Sequence, residues 1–191
     1  ISQSLQVKVV ESVPLEIAAT DAKAQVAVLT KARPGAVVMI MAGKMVEVFL
    51  RDYRSGGGAS PLYTISVGIT DAPGSAQRLN GGLEGLVTAS IVPSPQASRM
   101  PIVADYRKDR TEAGVKIDSY TMLEGYISAR VFVEGLKRAG RNLTRDAFIK
   151  AMEDIGTTKF GDFPVQYGPG NHNGSNFVDL EMYTRTGSLR R

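Results

Sequence analysis

The sequence contains no cysteine and only one histidine among its 191 residues. The absence of cysteine excludes disulfides and thiolate metal sites. Because His172 is the only imidazole, a multi-histidine metal site is excluded too, and histidine catalysis would depend on one residue. No apolar run approaches the ~18 residues that a membrane-spanning helix requires. The longest run covers residues 36–42, which is the length of a buried strand.

The sequence also lacks a strong excess of charge. Charged residues make up 22% of the chain, hydrophobic residues make up 43%, and the formal net charge is +4. This composition is ordinary for a globular protein and argues against a disordered or fibrous chain. The positive residues are scattered and form no basic stripe interleaved with aromatics. We therefore expect no nucleic-acid partner.

The first half of the chain alternates between strand and helix patterns. Residues 36–41 form a continuous apolar run, which is typical of a parallel strand covered on both faces. The alternation predicts an α/β fold, in which a parallel sheet is flanked by helices in three αβα layers. The predicted strands cover residues 6–10, 36–41, 62–67 and 86–92, and the predicted helices cover residues 22–32, 45–53 and 72–79.

The pattern changes after Pro95, where helices follow one another without a strand between them. We predict helices over residues 101–108 and 119–139, and a third that is capped by Thr144. The long middle helix carries an apolar stripe so wide that it must pack against a large surface. Three helices with no sheet of their own indicate that part of the protein lies outside these residues. Strands are predicted to return at residues 163–167 and 177–184.

No motif in the sequence indicates catalysis or a cofactor. Gly56, Gly57 and Gly58 follow a helix and precede a strand, the reverse of the order that a phosphate-binding loop needs. His172 lies in an Asn-His-Asn-Gly sequence and is interpreted as a turn residue. Asp118 and Ser119 form a helix N-cap region. Since no nucleophile elbow, Walker loop or paired metal carboxylates appear, we predict no enzyme, no catalytic residue, no metal and no cofactor.

The ends of two predicted strands are the best candidates for a ligand site. In an open α/β sheet, ligands bind beyond the carboxyl ends of the strands. Small residues at those ends allow backbone amides and a hydroxyl group to approach a ligand, although the same residues are also common in ordinary loops. The candidate ligand-binding residues are Ala42, Gly43, Ser66, Val67 and Gly68.

Several segments, in order along the chain, resemble one known family. Residues 85–95 read GLVTASIVPSP, residues 119–126 read SYTMLEGY, and residues 133–140 read VEGLKRAG. The chain is similar here to the periplasmic substrate-binding proteins of branched-chain amino-acid-type ABC importers, the Leu/Ile/Val-binding-protein family. Further segments that agree are LTRDAFI at 143–149, NHNGS at 171–175, VDL at 178–180, TD at 20–21 and PGAVV at 34–38.

The resemblance implies a type I periplasmic-binding fold, with two α/β lobes joined by three hinge crossings. Such proteins are about twice as long as this chain, so the N-terminal half of the protein is expected to lie outside it. The implied hinge residues are Pro93, Ser94 and Pro95. The implied second, C-terminal lobe is formed by residues 1–92 and 163–191, and residues 98–160 are implied to be helices of the first lobe.

The resemblance further implies a periplasmic receptor that closes on a small molecule and hands it to the membrane permease of an ABC importer. In amino-acid binders of the family, the positions that match Ala42 and Ser66 often hold a tyrosine and an acidic residue. This chain has Ala42 and Ser66 instead. The difference from the amino-acid binders leaves room for an aromatic acid, another carboxylate or an amide as the ligand. The alternatives are a ligand sensor of the same fold, an α/β enzyme and a structural interaction module. A homodimer is expected if these residues exist alone, because their apolar faces would be exposed.

Overall fold

The computed structural model describes residues 6–116 and 118–190. Helices and strands alternate up to β3, and three helices then precede the remaining strands. The helices are α1 (Lys23–Ala32), α2 (Lys44–Ser55), α3 (Ala72–Arg78), α4 (Pro101–Glu112), α5 (Tyr120–Ala139) and α6 (Arg145–Glu153), with a 3₁₀ turn at Ser66–Gly68. The strands are β1 (Val37–Val38), β2 (Leu62–Ile65), β3 (Val87–Ser90), β4 (Thr157–Phe160), β5 (Phe163–Gly168), β6 (Asn171–Gly174), β7 (Asp179–Tyr183) and β8 (Leu189–Arg190).

The strands form two sheets of different type. The larger sheet has the order β1-β2-β3-β7-β8, and its first three strands run parallel. The smaller sheet has the order β4-β5-β6 and is antiparallel. The α/β fold class, with a parallel-rich sheet flanked by helices, is therefore confirmed.

The chain divides into two compact units. Unit 1 contains the described residues up to Ala89 and those from Leu180 onward, and unit 2 contains Ser90–Asp179. We had expected the chain to leave the helical part at residue 163. Instead, β5 pairs with β4 in register Phe160↔Phe163, and this pairing keeps β5 in unit 2. Strand β4 was not predicted from the sequence, so β5 had no expected partner in this unit.

Unit 1 has its core on one face of the parallel sheet. The helices α1, α2 and α3 all contribute buried residues to it, together with Val37, Met39 and Leu62 of the first two strands and their ends. Asp52 of α2 fastens the start of α1, because its Oδ2 accepts a hydrogen bond of 2.6 Å from the backbone N–H of Ala22. Ala22, at the start of α1, and Val26 and Leu29 within it are all buried and face this core.

The opposite face of this sheet is open in the part of the chain that the structure describes. Val38 is 68% exposed and Ile40 is 82% exposed, while Tyr63 and Ile65 lie beside them at 37%. The prediction that residues 36–41 are covered on both faces is therefore wrong for the described residues. The physical reason is that α1, α2 and α3 all pack against the same face.

Unit 2 provides its helices with a small sheet of their own. The predicted N-caps are confirmed: Ser119 Oγ accepts from Met122 N at 3.3 Å, and Thr144 Oγ1 accepts from Ala147 N at 3.1 Å. Helix α5 packs against α6 and β4, and α6 packs against β5. The expectation of helices without a sheet is corrected by β4–β6, which follow α6 along the chain.

Helix α5 nevertheless has a second apolar side. Leu123, Ile127 and Val131 are buried, whereas Phe132 is 52% exposed and Val133 is 45% exposed. The wide stripe that the sequence predicts is thus covered along only one side. None of the described helices is long and apolar enough to cross a membrane.

Candidate functional site

The carboxyl ends of β1 and β2 meet at one point of unit 1. The two strands are parallel neighbours, so their ends lie at the same edge of the sheet. The backbone N–H of Gly43, after β1, donates a 3.0 Å hydrogen bond to the carbonyl of Gly68, after β2. The structure therefore brings the two groups of candidate residues, 42–43 and 66–68, next to each other.

Gly43 is the turn that connects the end of β1 to α2. Its φ angle is +61°, a conformation that glycine adopts far more readily than other residues. Its carbonyl accepts the N–H of Val46 at 3.1 Å and so starts the helix. No side chain caps this N-terminus. The first amides of α2, beginning with Lys44, therefore lack an intrahelical acceptor and point beyond the start of the helix, toward the site.

Gly68 is required by the packing of the two strand ends. A Cβ atom at this position would lie 2.5 Å from Thr64 Oγ1 and 3.5 Å from the carbonyl oxygen of Met41. The Thr64 hydroxyl itself donates to the carbonyl of Met39 at 3.4 Å. The threonine thus joins β2 to the backbone that follows β1, and glycine is the residue that fits above it.

The candidate residues differ in how much surface they present. Ala42 is exposed, and Gly43 and Val67 are half-buried. Ser66 is only 9% exposed, and Gly68 is buried. The accessible part of the site is therefore formed mainly by Ala42, Gly43 and Val67.

The acidic residue in the first turn of α2 is already engaged. Glu47, in the first turn of α2, accepts from Arg78 Nη2 at 2.6 Å and Nε at 2.9 Å, and from Ser75 Oγ at 2.7 Å. These contacts, led by the hydrogen bonds from Arg78, lower the pKa of Glu47. The carboxylate therefore joins α2 to α3 and is not directed at a ligand ammonium.

Two contributors to the site were missed by sequence analysis. Lys44 is exposed and opens α2 directly after Gly43, so its charge adds to the positive end of the helix. The signal was present, because a lysine follows a glycine at the predicted start of a helix. Thr64 had no such signal, since its role depends on the backbone of the neighbouring strand.

The predicted hinge residues lie within unit 2, a few residues after the division between Ala89 and Ser90. Pro93, Ser94 and Pro95 are all buried. The Pro95 carbonyl accepts a 2.8 Å hydrogen bond from Arg107 Nε, and the Ser94 carbonyl accepts from Ser98 N at 3.1 Å. The segment is thus held by a backbone bond to a residue four positions away and by a side-chain bond from α4.

The two other residues that were weighed for chemistry have structural partners. His172 was predicted in a turn, which is wrong: it lies in β6, is exposed, and has Nε2 3.0 Å from Glu153 Oε1 of α6. Asp118 accepts from the hydroxyl of Tyr106 at 3.1 Å and pairs with Arg110 at 3.2 Å. Burial and this bond raise the pKa of Tyr106. Among the described residues, no cluster of His, Asp and Glu could hold a metal ion.

Comparison with known proteins gives a consistent family. Residues 1–180 match the model of the family described as periplasmic binding protein. No curated protein sequence matches the chain. A fatty acid ABC transporter substrate-binding protein from Thermomonospora curvata has a TM-score of 0.82 at 19% identity, with 98% of this chain and 50% of that chain covered.

Two further solved structures agree. A leucine binding protein from Thermotoga maritima has a TM-score of 0.77 at 17% identity, covering 94% of this chain and 50% of its own. A possible leucine/isoleucine/valine-binding protein from Rhodopirellula baltica has a TM-score of 0.76 at 23% identity, and the match covers 87% of this chain and 46% of that chain. The chain therefore spans about half the length of the solved structures that it matches.

Proposed function

The chain belongs to the periplasmic binding protein family, and from that premise we propose that it forms part of an extracytoplasmic receptor for a small molecule. The receptor captures its ligand between two lobes and delivers it to the permease of an ABC importer. No bond is made or broken in this process. The observation that carries the proposal is the meeting of Gly43 and Gly68 at the carboxyl ends of adjacent parallel strands, where open α/β sheets bind ligands.

The chemistry around this point favours a carboxylate as the bound group. The outward amides at the start of α2 and the ammonium of Lys44 both attract negative charge. The nearby Glu47 is held by Arg78 and Ser75, so this carboxylate is not free to meet a ligand amine. An aromatic acid or another simple carboxylate therefore suits the site better than an amino acid.

The role of each residue follows from its exposure and bonds. The Gly43 amide is occupied by Gly68, so Gly43 shapes the site and the amides that follow it contact the ligand. Ala42 and Val67 present apolar surface to the ligand body. Ser66 offers a hydroxyl group to the ligand. Because only 9% of this residue is exposed, the turn at Ser66–Gly68 must move slightly before a ligand can reach the hydroxyl.

The proposal can be tested by following the backbone amides of the 191-residue chain by NMR while benzoate, leucine or isobutylamine is added. We expect benzoate to move the amide signals of Lys44, Ser66 and Gly68, with a dissociation constant of about 1 mM because one lobe acts alone. Leucine should cause smaller changes at these positions, and isobutylamine should cause none. The added compound should be recovered unchanged.

Matched variants separate the site from general effects. Lys44→Met should weaken benzoate binding several-fold, and Ser66→Ala should weaken it less. Ser128→Ala, on the exposed surface of α5, should leave it unchanged. If none of the compounds shifts these amides, or if Lys44→Met binds benzoate as the wild type does, the proposed site is wrong. Conversion of a compound would instead indicate an enzyme.

A further inference from the structure

A surface groove of about 720 Å³ lies in unit 1 between α1 and the end of α2. Exposed residues of α1 form one wall, and Ser55 and Gly56 form the other. Gly56 lies against α1, because a Cβ atom at this position would be 3.1 Å from Val26 Cγ1. Asp52 Oδ2 joins the two helices as well, through the 2.6 Å bond from Ala22 N. These contacts at the base of the groove fix its shape.

The groove is lined by three cations. They are Lys23 and Lys31 of α1 and Arg33, the residue at which that helix is capped. All three side chains belong to exposed residues. In the part of the chain that the structure describes, none of the three forms an ion pair with an acidic residue. Their charges are therefore free to meet an external anion.

The acidic groups nearby do not neutralise this charge. Asp52 lines the groove, but it already accepts hydrogen bonds from Ala22 N and from Arg51 Nε at 2.8 Å. Asp21 precedes α1 and lies outside the lining, and its Oδ1 accepts from the backbone N–H of Lys23 at 3.3 Å. The groove thus carries an excess of positive charge.

The spacing of the cations favours an elongated partner. Lys23, Ala27 and Lys31 follow one another at intervals of four residues and so lie along one side of α1. The two lysines are ~12 Å apart along the helix axis, at ~1.5 Å per residue. A smaller cavity of about 270 Å³ continues past Arg33 along residues 57–60. An extended chain with acidic residues about four positions apart matches this length at ~3.3 Å per residue, whereas one small anion reaches only part of it.

The uncharged part of the lining favours a peptide over a nucleic acid. Among the described residues that line the larger cavity there is no aromatic side chain on which a base could stack. Ala27 and Gly56 are small and leave room for a main chain. The Ser55 hydroxyl donates to Asp52 O at 3.2 Å and can still accept from a peptide N–H.

We propose that this groove binds an extended acidic segment of a partner protein, whose carboxylates meet Lys23, Lys31 and Arg33. The groove lies at the C-terminal end of α2, whereas Gly43 and the candidate ligand site lie at its N-terminal end. The two ends of a 12-residue helix are ~18 Å apart. The two sites are therefore separate, and the proposal does not depend on the ligand proposed above.

Three peptides of equal length test the spacing. The probe is fluorescein-labelled GEESGSEEG, whose two acidic pairs are separated by three residues. GSGEEEESG has the same composition with the acids together, and GQQSGSQQG has no acids. At low ionic strength, fluorescence anisotropy should show GEESGSEEG bound to the 191-residue chain, GSGEEEESG bound about threefold more weakly and GQQSGSQQG not bound. Added salt should weaken the binding, because exposed charges are screened.

Matched lysine variants separate the groove from the overall charge of the chain. Lys23→Gln/Lys31→Gln removes two cations of the groove, and Lys137→Gln/Lys159→Gln removes two exposed cations of unit 2. The first variant should bind GEESGSEEG about tenfold more weakly than the wild type, since two exposed charge contacts are lost. The second should bind it as the wild type does.

A second pair of variants tests the shape of the groove at constant charge. Ala27→Phe fills the groove and should weaken binding of GEESGSEEG about fivefold through a clash with the peptide. Ala24→Phe, on the exposed surface of α1 outside the lining, is its control and should leave binding unchanged. All four positions of α1 that are changed in these variants are exposed, so the fold should be retained.

Several results would overturn the proposal. These are absence of GEESGSEEG binding to the wild type, equal binding of the spaced and the clustered peptide, and equal weakening by the two lysine pairs. Unchanged binding to Ala27→Phe would place the peptide outside the groove and would also contradict it. Binding of tripolyphosphate that depends on Lys23 and Lys31, without binding of the peptide, would assign the groove to a small polyanion instead.

Discussion

The two units of this chain complete their sheets to different degrees. In unit 2, β4, β5 and β6 follow one another along the chain and pair as antiparallel neighbours. In unit 1, β1, β2 and β3 are parallel, so each pairing requires a long crossover. Antiparallel strands find their partners locally, whereas a parallel sheet depends on distant segments. The sheet face on which Val38 and Ile40 are exposed belongs to the parallel sheet of unit 1.

The units also differ in how they use charge. Unit 1 contains a buried carboxylate, Asp52. It accepts hydrogen bonds from Ala22 N at 2.6 Å and from Arg51 Nε at 2.8 Å. The ion pair of Asp105 with Arg130 in unit 2 is 3.5 Å long and half-exposed on both sides. A buried carboxylate that accepts backbone bonds contributes to packing, while an exposed pair is screened by water.

The largest expected effect comes from truncating one core at a time. Leu50 of unit 1 and Leu123 of unit 2 are both 0% exposed, so each change to alanine should cost about 3 kcal/mol of unfolding free energy. Residue-resolved hydrogen exchange should show faster opening of α2 in Leu50→Ala and of α5 in Leu123→Ala. If either variant accelerates exchange equally in both helices, the two units do not have separate cores.

A smaller effect is expected from Asp52→Asn, which keeps the shape of the side chain and removes its charge. The loss of charge-assisted bonds to Arg51 and Ala22 should cost about 1–3 kcal/mol in urea denaturation at pH 7. Asp105→Asn is the matched change in unit 2 and should stay within about 0.5 kcal/mol. Equal losses in both variants would contradict the distinction between the buried and the exposed carboxylate.

The pH dependence of the same pair of variants sharpens the test. The hydrogen bond from Arg51 leads the contacts that lower the pKa of Asp52 in the folded protein. A lowered folded pKa means that the stabilisation is present above the unfolded value of about 3.9 and is lost as the pH falls through the folded pKa. Wild type and Asp105→Asn should therefore lose more stability between pH 5 and acid than Asp52→Asn does.

The smallest effect on stability is expected on the open apolar surfaces. Ile40→Lys in unit 1 and Val133→Lys in unit 2 replace side chains that are 82% and 45% exposed. Each should change the unfolding free energy by no more than about 0.5 kcal/mol. Binding of the dye ANS and self-association in light scattering should both fall, and more so for Ile40→Lys. A large loss of stability would show that these faces are covered.

Patterns local to the chain predicted most helices well. Ser119 and Thr144 begin α5 and α6 because a side-chain oxygen satisfies an amide in the first turn, a contact that neighbouring residues determine. The strands were less predictable. Residues 36–41 have the composition of a buried strand, but the strand in the sheet covers only Val37–Val38, because its extent depends on pairing with β2, a segment distant in the sequence.

The candidate site shows the same limit. Gly43 and Gly68 could be selected from the sequence, since small residues end two predicted strands. Their mutual hydrogen bond and the Thr64 contact that excludes a side chain at Gly68 depend on cross-strand neighbours. The partial burial of Ser66 could not be predicted either, because exposure is set by residues distant in sequence.

The sequence by itself determined the α/β class, the helix starts, the absence of thiol and multi-histidine chemistry and, through ordered motifs, the family. The tertiary structure decided where the two units divide, which face of the sheet is covered, and which residues meet at the ends of β1 and β2. The physical reason is the distance along the chain over which each kind of interaction acts. Caps, turns and periodicity act within a few residues, whereas burial and strand pairing are settled by contacts between segments that lie far apart in the chain.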